Sequence, residues 1–382
     1  MQLTEEQQAF AQAAREFAQN ELAPHAAQWD LDEIFPVDAF RQAGELGFCG
    51  LYANPEIGGL GLGRLDAALV FEEMAAADPS TTAFLTIHNM VTWMIGEWGT
   101  SRAKERWGEA LTQGSILGSY CLTEPGSGSD AASLRTRAER RGDKYVLNGS
   151  KAFISGAGDT QVLVVMARTG DDSARGISAF AIPADLPGIE YGRKEMKMGW
   201  NSQSTRPISF DNVELEPWML LGEEGQGFRF AMQGLNGGRI NIATCSVGAA
   251  QGAYDAARQH LSERKQFGQA LDQFQALQFK LADMLTNIVA SRQMVRLAAH
   301  KIDHGDAQAG TYCAMAKRLA TDLGFQVCVD AQQLFGGYGY LKDYPVERLV
   351  RDTRVHQILE GTNEIMRVII ARQIIEQGVD IR

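Results

Sequence analysis

The amino-acid sequence predicts an α+β protein that is mainly α-helical and consists of three successive parts. Apolar residues recur at helical spacing over residues 1–114, short strand-like runs fill residues 115–227, and long helical stretches occupy residues 228–382. These patterns predict an N-terminal helical domain, a middle antiparallel β-domain and a C-terminal four-helix bundle.

The N-terminal part contains two amphipathic helical patterns on either side of a glycine-rich segment. The first pattern begins after Thr4, whose hydroxyl is suited to capping a helix N-terminus. The second, LDAALVFEEMAAAD, ends before Pro79. NPEIGGLGLG, which lies between them, predicts a loop.

The middle part predicts a sheet of short strands. KYVLNGSKAFIS is typical of a hairpin with its turn at Asn148-Gly149, because this pair tolerates the left-handed backbone that matches strand twist. QVLVVMAR, GISAFAIP and RPISFDNVEL follow as further strands, separated by Gly, Asp, Ser and Pro.

The C-terminal part predicts four helical stretches joined by short loops. We expect Gly237 and Gly238 of LNGGRI at the start of the first bundle helix, where each glycine costs about 1 kcal/mol of helix stability. Thr362 is expected to start the last helix, which continues through IMRVIIARQIIE.

The composition excludes several classes of protein. The 382-residue chain has 36 basic and 47 acidic residues, and a net charge of −11 argues against nucleic acid or an anionic membrane as a partner. No apolar run is long enough to span a membrane, and MQLTEEQQAF lacks a signal or transit pattern. We expect a cytoplasmic protein, or a mitochondrial matrix protein if a transit peptide has been removed. The five widely spaced cysteines predict buried thiols in a reducing compartment, without disulfides or a zinc site.

Glycine-containing motifs are the first candidates for ligand contacts. Gly126 and Gly128 of YCLTEPGSGSD, with Ala131 directly after it, fit the dinucleotide fingerprint. A charged strand pattern follows instead of a helix, which excludes a Rossmann unit. The loop is then either a turn cluster or a set of donors for a bound anion or ring. The residues alone leave both interpretations open.

Two later motifs also have an ordinary and a functional interpretation. Arg264 of ERKQFG ends a long helix, where the dipole favours a cation, and its guanidinium is also suited to gripping a pyrophosphate. Gly336, Gly337 and Gly339 of QLFGGYGY imply that some group approaches the backbone closely.

Glu360 is a carboxylate whose position has an ordinary interpretation. It follows an apolar run in VHQILEGTNEIMR and precedes the last helix, where a solvated glutamate in a turn is the ordinary interpretation. His356 lies four residues earlier, and such a pair is far more often a surface or packing feature than a metal site. No metal is therefore predicted.

Seven motifs taken together resemble the acyl-CoA dehydrogenase family over essentially the whole chain. Each motif alone is weak, but their order along the chain is highly specific. They are YCLTEPGSGSD, NGSKAFISGAG, GWNSQSTR, LNGGRINIA, ERKQFG, QLFGGYGYLKDYPVERLVRD and RVHQILEGTNEIMR.

The resemblance implies a cofactor, FAD, and a role for each motif residue. In one chain the residues at the flavin would be Tyr120, Leu122, Thr123, Gly128, Ser129, Phe153 and Ser155. Those gripping the FAD of a neighbouring subunit in a homotetramer would be Arg264, Phe267, Gln275, Gln333, Gly336 and Gly337, with Thr362 and Glu364 at its adenosine half. Those facing acyl-CoA would be Ser129, Asn236, Arg239 and Gly361.

The reaction that the resemblance implies is α,β-dehydrogenation of a short branched acyl-CoA, foremost isobutyryl-CoA, with electron-transfer flavoprotein as the electron acceptor. Glu360 would remove the α-proton while a hydride leaves the β-carbon for flavin N5. Some members carry their base one residue before the arginine of the LNGGRI segment, but Gly238 stands there in this sequence. We expect desolvation by the bound acyl chain to raise the pKa of Glu360 towards neutrality.

Three alternatives remain at this stage. A different acyl chain, such as 2-methylbutyryl-CoA or a straight short chain, would leave the chemistry unchanged, since one methylene is worth only about 1–3 kcal/mol. An oxidase would use oxygen as the electron acceptor. A non-catalytic acyl-CoA-binding helical scaffold belongs to another class, and the carboxylate and flavin motifs argue against it.

Overall fold

The computed structural model describes residues 3–376 and residue 378, so residues 1, 2, 377 and 379–382 of the predicted first and third parts lie outside it. Thr4 caps the first helix in a capping box with Gln7, as predicted. A π-helical turn, Ala18–Leu22, follows that helix. The N-terminal helices are α1 Glu5–Phe17, α2 Ala26–Asp32, α3 Val37–Glu45, α4 Arg64–Ala77, α5 Pro79–Trp98 and α6 Ser101–Thr112.

The middle region is an eight-stranded sheet in the order β6-β7-β3-β2-β4-β5-β8, with β1 paired to β4. Most neighbours are antiparallel, as predicted, but β1 and β4 are parallel, and β2 meets β4 in a parallel bridge. The strands are β1 Gly118–Cys121, β2 Arg137–Arg141, β3 Lys144–Ser155, β4 Val162–Arg168, β5 Ile177–Pro183, β6 Ile189–Tyr191, β7 Thr205–Leu215 and β8 Leu220–Leu221.

The predicted turn at Asn148-Gly149 is wrong. Strand β3 passes through this pair, which forms a bulge where the register against β7 shifts. The turn lies earlier, between β2 and β3, where Gly142 has φ 66°. Because β3 pairs with β2 on one side and β7 on the other, it continues beyond the end of the hairpin.

The C-terminal region is built around three long helices and ends in two shorter ones. The predicted position of Gly237 and Gly238 is wrong, because α7 begins at Gly227 and holds both glycines in its interior. Phe230 in its first turns stacks on Trp98 at 4.0 Å, which stabilises this earlier start. The elements are α7 Gly227–Glu263, β9 Lys265–Gln266, β10 Gln269–Ala270, α8 Gln275–Asp303, α9 Ala309–Leu334, α10 Pro345–Arg354 and α11 Asn363–Glu376.

The three regions share packing surfaces. Helix α7 packs against α8 and α9 in the bundle and also against α4 and α5 of the N-terminal region. A further apolar cluster joins Met90 of α5, Val164 of the sheet and Phe230 of α7. All five cysteines are buried and free. Among residues 3–376, the structure contains no helix that is both long and apolar enough to cross a membrane.

Candidate active site

Glu360 lies in a tight connection between α10 and α11. A 3-10 turn, Val355–Gln357, follows α10, and Glu360 and Gly361 then adopt left-handed backbone with φ 55° and 87°. The Thr362 hydroxyl accepts a hydrogen bond from Ile365 N–H at 3.3 Å, so it caps α11. A left-handed glutamate is strained by about 1–3 kcal/mol, and the surrounding contacts must hold it in place.

The Glu360 carboxyl group is buried although the residue as a whole is partly exposed. Its Oε2 atom has no hydrogen-bond partner among the described residues. Burial raises the pKa of Glu360 to about 7, and the positive charges of Arg239 and Lys317 oppose that rise. Packing within the chain therefore already produces the shift that we expected from the acyl chain. A base with a pKa near neutrality is suited to proton abstraction at physiological pH.

Gly238 of α7 faces this carboxyl group directly. A Cβ atom at position 238 would lie 2.5 Å from Glu360 Oε2 and 2.9 Å from its Cδ. The two places where the family's base was expected, on α7 and before α11, therefore converge on one point in space. With glycine at 238, the carboxylate of Glu360 fills that point.

Three of the residues predicted to face acyl-CoA gather around Glu360. Arg239 donates from Nη1 to Asn236 Oδ1 at 2.7 Å and from Nε to the Glu360 carbonyl at 3.5 Å. Gly361 is next to the base in sequence. A cavity of about 440 Å³ extends from Asn236 between α4, α5, α7, α8 and α9. Ser129, the fourth predicted residue, is exposed on the loop of the β-domain.

The loop after β1 brings the predicted flavin residues to the end of β3. The Thr123 carbonyl accepts a hydrogen bond from Ala152 N–H at 2.9 Å, beside Phe153. Burial, together with the Glu360 carboxylate, raises the pKa of Tyr120 at the end of β1. Leu122 packs in the core below the loop. The loop and the Glu360 carboxyl group are thus neighbours in space although they are far apart in sequence.

The exposed face of this loop fits a planar aromatic cofactor. Phe153 is 68% exposed and has a left-handed φ of 58°. A Cβ atom on Gly128 would meet no atom within 4 Å, so the backbone there is open to a ligand. Within the described residues, Tyr120 Oη and Ser204 Oγ are buried without partners. Ser204 lies close to Ser155, because its carbonyl accepts a hydrogen bond from the N–H of the next residue, Gly156. An apolar ring face with unpaired polar groups around it suits the isoalloxazine of FAD.

A third group of predicted residues lies at the other end of α7. Arg264 follows the last residue of α7 and stacks over Tyr338 at 5.2 Å. Along α7, about 1.5 Å per residue places Arg264 roughly 38 Å from Arg239. The remaining members of the group are Phe267 (94% exposed), Gln275 at the start of α8, Gln333 near the end of α9, and Gly336 and Gly337 in the following turn. One chain therefore does not bring this group to its own Glu360.

Two further predicted features can be placed. Glu364 is exposed in the first turn of α11 and lies 3.6 Å from Arg367 Nη1. His356 does not share a helix face with Glu360. Its Nε2 accepts from Trp200 Nε1–H at 3.2 Å and its Nδ1 bonds Ser246 Oγ at 2.7 Å. Among the described residues, no cluster of three or more His, Cys, Asp or Glu side chains is arranged to hold a metal ion.

The sequence analysis missed two buried cations near this site. Arg64 begins α4, lies 3.5 Å above the Tyr52 ring and approaches the backbone of Gly237. Lys317 of α9 is fully buried and donates to the Gly361 carbonyl. Neither belongs to a recognisable motif, because Arg64 follows a glycine loop and Lys317 occupies an ordinary position in a helical pattern.

Comparison with known proteins places this geometry in a family. Three family models match in succession, namely acyl-CoA dehydrogenase N-terminal domain over residues 4–115, middle domain over residues 119–213 and C-terminal domain over residues 225–375. The chain belongs to the acyl-CoA dehydrogenase family, whose members are FAD-dependent enzymes acting on acyl-CoA. This confirms the predicted fold class, the predicted cofactor and the predicted type of reaction.

Two relatives with more than 50% identity share a narrower name. "Isobutyryl-CoA dehydrogenase, mitochondrial" of Dictyostelium discoideum is 53% identical over 373 residues, which cover 97% of this chain and 90% of that protein. The protein of the same name from Bos taurus is 51% identical over 377 residues, covering 99% and 91%. A solved chain from work on the electron transferring flavoprotein of Acidaminococcus fermentans superposes with a TM-score of 0.96 at 40% identity, covering 99% of this chain and 100% of that chain.

Proposed function

We propose that this protein converts isobutyryl-CoA to methacrylyl-CoA, with Glu360 as the base that removes the α-proton. The observation that carries the proposal is the buried Glu360 carboxyl group, whose Oε2 has no hydrogen-bond partner among the described residues and whose pKa is raised to about 7. The α-hydrogen of a thioester is weakly acidic, so a stronger base than an ordinary glutamate is needed.

The chain also offers donors for the thioester oxygen. No hydrogen bond from Glu360 N–H is present among residues 3–376, because the residue precedes the ladder of α11. This N–H is free to stabilise the negative charge that develops on the oxygen as the proton leaves. FAD, when bound beside Phe153, would supply the acceptor for the hydride from the β-carbon.

The choice of acyl chain rests on the relatives. Both proteins named isobutyryl-CoA dehydrogenase exceed 50% identity over almost the whole chain. Chains that differ by one methylene are separated by about 1–3 kcal/mol in a hydrophobic pocket. Comparing kcat/KM for isobutyryl-, 2-methylbutyryl- and butyryl-CoA tests the assignment, and a clear preference for either of the other two would reject it.

The assembly and the partners follow from the same proposal. Thr123, Phe153 and Ser155 would hold the flavin ring, and the distant Arg264 group would grip the FAD of a neighbouring subunit in a homotetramer. The roughly 38 Å between Arg264 and Arg239 supports this division. Electron-transfer flavoprotein is the proposed electron acceptor, and the buried free thiols fit the reducing cytoplasm or mitochondrial matrix. We propose domain limits at residues 1–114, 115–227 and 228–382.

The decisive experiment is anaerobic titration of the purified yellow protein with isobutyryl-CoA. The wild type is expected to lose its flavin absorbance, whereas Glu360→Gln is expected to keep its FAD and bind the substrate without bleaching. Normal bleaching of Glu360→Gln would remove Glu360 from the mechanism. A purified protein that neither contains nor binds flavin would instead support the non-catalytic scaffold, and peroxide formation at turnover rates without an added acceptor would support an oxidase.

A further inference from the structure

Lys317 on α9 is a fully buried cation that contacts the turn formed by Glu360 and Gly361. Its side chain is 0% exposed, and its Nζ donates to the Gly361 carbonyl and to Asn363 Oδ1, each at 2.8 Å. These two acceptors lie on either side of Thr362. The Lys317 ammonium group therefore connects the left-handed turn at Glu360–Gly361 to Asn363, the first residue of α11.

The charge on Lys317 is not matched by the groups that it contacts. Both acceptors are neutral, one a backbone carbonyl and the other an amide oxygen. Burial lowers the pKa of Lys317 to about 8, and the Glu360 carboxylate is the strongest opposing influence, followed by that of Asp322. Lysine is almost never fully buried unless it is paired. Its electrostatic counterpart here is the carboxylate of the proposed base.

We propose that Lys317 is a positioning residue for Glu360, which holds the Glu360–Gly361 turn from behind and favours the ionised form of the carboxylate. This inference rests on the proposed role of Glu360 as the base.

The surroundings of Glu360 distinguish the two cations that face it. Arg239 on α7 donates to Asn236, which lines the cavity of about 440 Å³, and to the Glu360 carbonyl. Lys317 on α9 is fully buried and donates to the Gly361 carbonyl and to Asn363 Oδ1. Among the described residues, Tyr120 on β1 also interacts with Glu360, and its burial favours the neutral form. Removing Lys317 therefore leaves Arg239 as the one described cation that lowers the pKa of Glu360.

The test compares four variants by the pH profile of kcat/KM and by α-hydrogen exchange of the acyl-CoA in D₂O, which reports proton abstraction itself. Lys317→Met is expected to shift the acid limb of the kcat/KM profile to higher pH by about one unit. The reason is that a nearby opposite charge lowers a carboxylate pKa by about that amount. Lys317→Met is also expected to slow exchange at pH 7 about fivefold, because the ionised fraction of Glu360 falls from about one half to about one tenth. Lys317→Arg retains the charge and is expected to keep the limb within a few tenths of a unit.

Two variants serve as controls. Asn363→Ala removes one acceptor of Lys317 but keeps the charge, so its acid limb is expected to stay in place even if turnover falls. Lys104→Met removes a lysine at a surface ion pair with Glu56 and is expected to match the wild type. If Lys317→Met does not fold, Lys317→Gln replaces it, because the amide keeps a donor but lacks the charge.

The inference is overturned if the acid limb of Lys317→Met superimposes on that of the wild type. The same criterion applies to Lys317→Gln where that variant replaces Lys317→Met. A uniform loss of activity at every pH also overturns it, since this would show a purely structural role. A wild type without activity on any acyl-CoA would instead defeat the proposed function, so the two failures are distinguishable.

Discussion

Gly238 and Glu360 occupy complementary space: a Cβ atom at position 238 would lie 2.5 Å from the Glu360 carboxylate oxygen. A glycine inside α7 costs about 1 kcal/mol relative to alanine. The atoms that a Cβ would meet belong to the flexible end of Glu360, so a methyl group there would displace the carboxylate and leave the helix backbone in place.

We expect Gly238→Ala to fold normally but lose at least tenfold in kcat, because a displacement of about 1 Å at a reacting group can cost about 100-fold. The measurement is kcat with isobutyryl-CoA together with thermal unfolding. Gly234→Ala, one turn earlier on α7, is the matched control, since its Cβ would meet Met90 Sδ at 3.2 Å, an adaptable side chain. Wild-type kcat in Gly238→Ala would show that Glu360 does not need its present position.

The raised pKa of Glu360 predicts the acid side of the activity profile. Since the base must be ionised and its pKa is about 7, kcat/KM is expected to fall tenfold per pH unit well below pH 7. Initial rates between pH 5 and 9 with an artificial electron acceptor measure this limb. An inflection near pH 4.5, where an ordinary glutamate titrates, would contradict the assignment.

The same shift predicts how stability depends on pH. The pKa of Glu360 is higher in the folded protein than in the unfolded chain, so its favourable contribution is complete below about pH 4.5 and is lost as pH rises through 7. Glu360→Gln cannot ionise, and we expect it to gain stability over the wild type across this window. Denaturant unfolding at pH 4.5 and pH 8 tests the sign. Asp352, whose pKa burial also raises to about 7, is present in both proteins and cancels in the comparison.

The sequence was sufficient for the order of the domains, but not for local geometry. Thr4 begins a helix because its hydroxyl and Gln7 form a local capping box, an interaction that sequence spacing reveals. Asn148-Gly149 and Gly142-Asp143 are both turn signals within one short stretch. The pairing of β3 with β7, which is distant in sequence, decided between them. The Asn148 side chain instead accepts a hydrogen bond from Asn212 N–H at 2.8 Å.

Sequence spacing likewise could not predict which residues surround the Glu360 carboxyl group. Glu360 is surrounded by Gly238, Arg239, Tyr120 and Lys317, which come from three other elements. Only packing of α7, α9 and β1 brings them together. The expected shift of the Glu360 pKa had the right direction, but its cause is burial within the chain.

The buried ion pair between Lys151 and Glu124 is expected to govern the stability of the flavin loop. Lys151 Nζ donates to Glu124 Oε1 at 2.8 Å and to the Leu122 carbonyl at 3.0 Å. Burial opposes the charge on Glu124, but Lys151 and the N–H groups of Arg135 and Thr136 outweigh it and lower the pKa of Glu124.

We expect Lys151→Met to destabilise the protein by about 3–5 kcal/mol, because it leaves a buried carboxylate without its cation. Adding Glu124→Gln should recover part of that loss, since the amide oxygen is neutral and still accepts hydrogen bonds. Urea unfolding of the two single variants and the double variant measures this coupling. Additive effects of the two substitutions would mean that the pair contributes nothing specific.

Substitutions of Phe153 test whether this residue, which has a strained backbone in β3, contributes to FAD binding. Its left-handed backbone costs about 1–2 kcal/mol for a residue with a side chain, and its ring, 68% exposed, gains little from burial. Phe153→Gly removes both the strain and the ring, whereas Phe153→Ala removes the ring and keeps the strain. In the flavin-free protein we expect Phe153→Gly to be about 1 kcal/mol more stable than Phe153→Ala, and both to bind FAD about tenfold more weakly than the wild type, because each lacks the aromatic face. Denaturant unfolding and fluorescence titration with FAD measure the two effects separately. Wild-type FAD affinity in both variants would show that the ring does not contact the flavin, whatever the stabilities are.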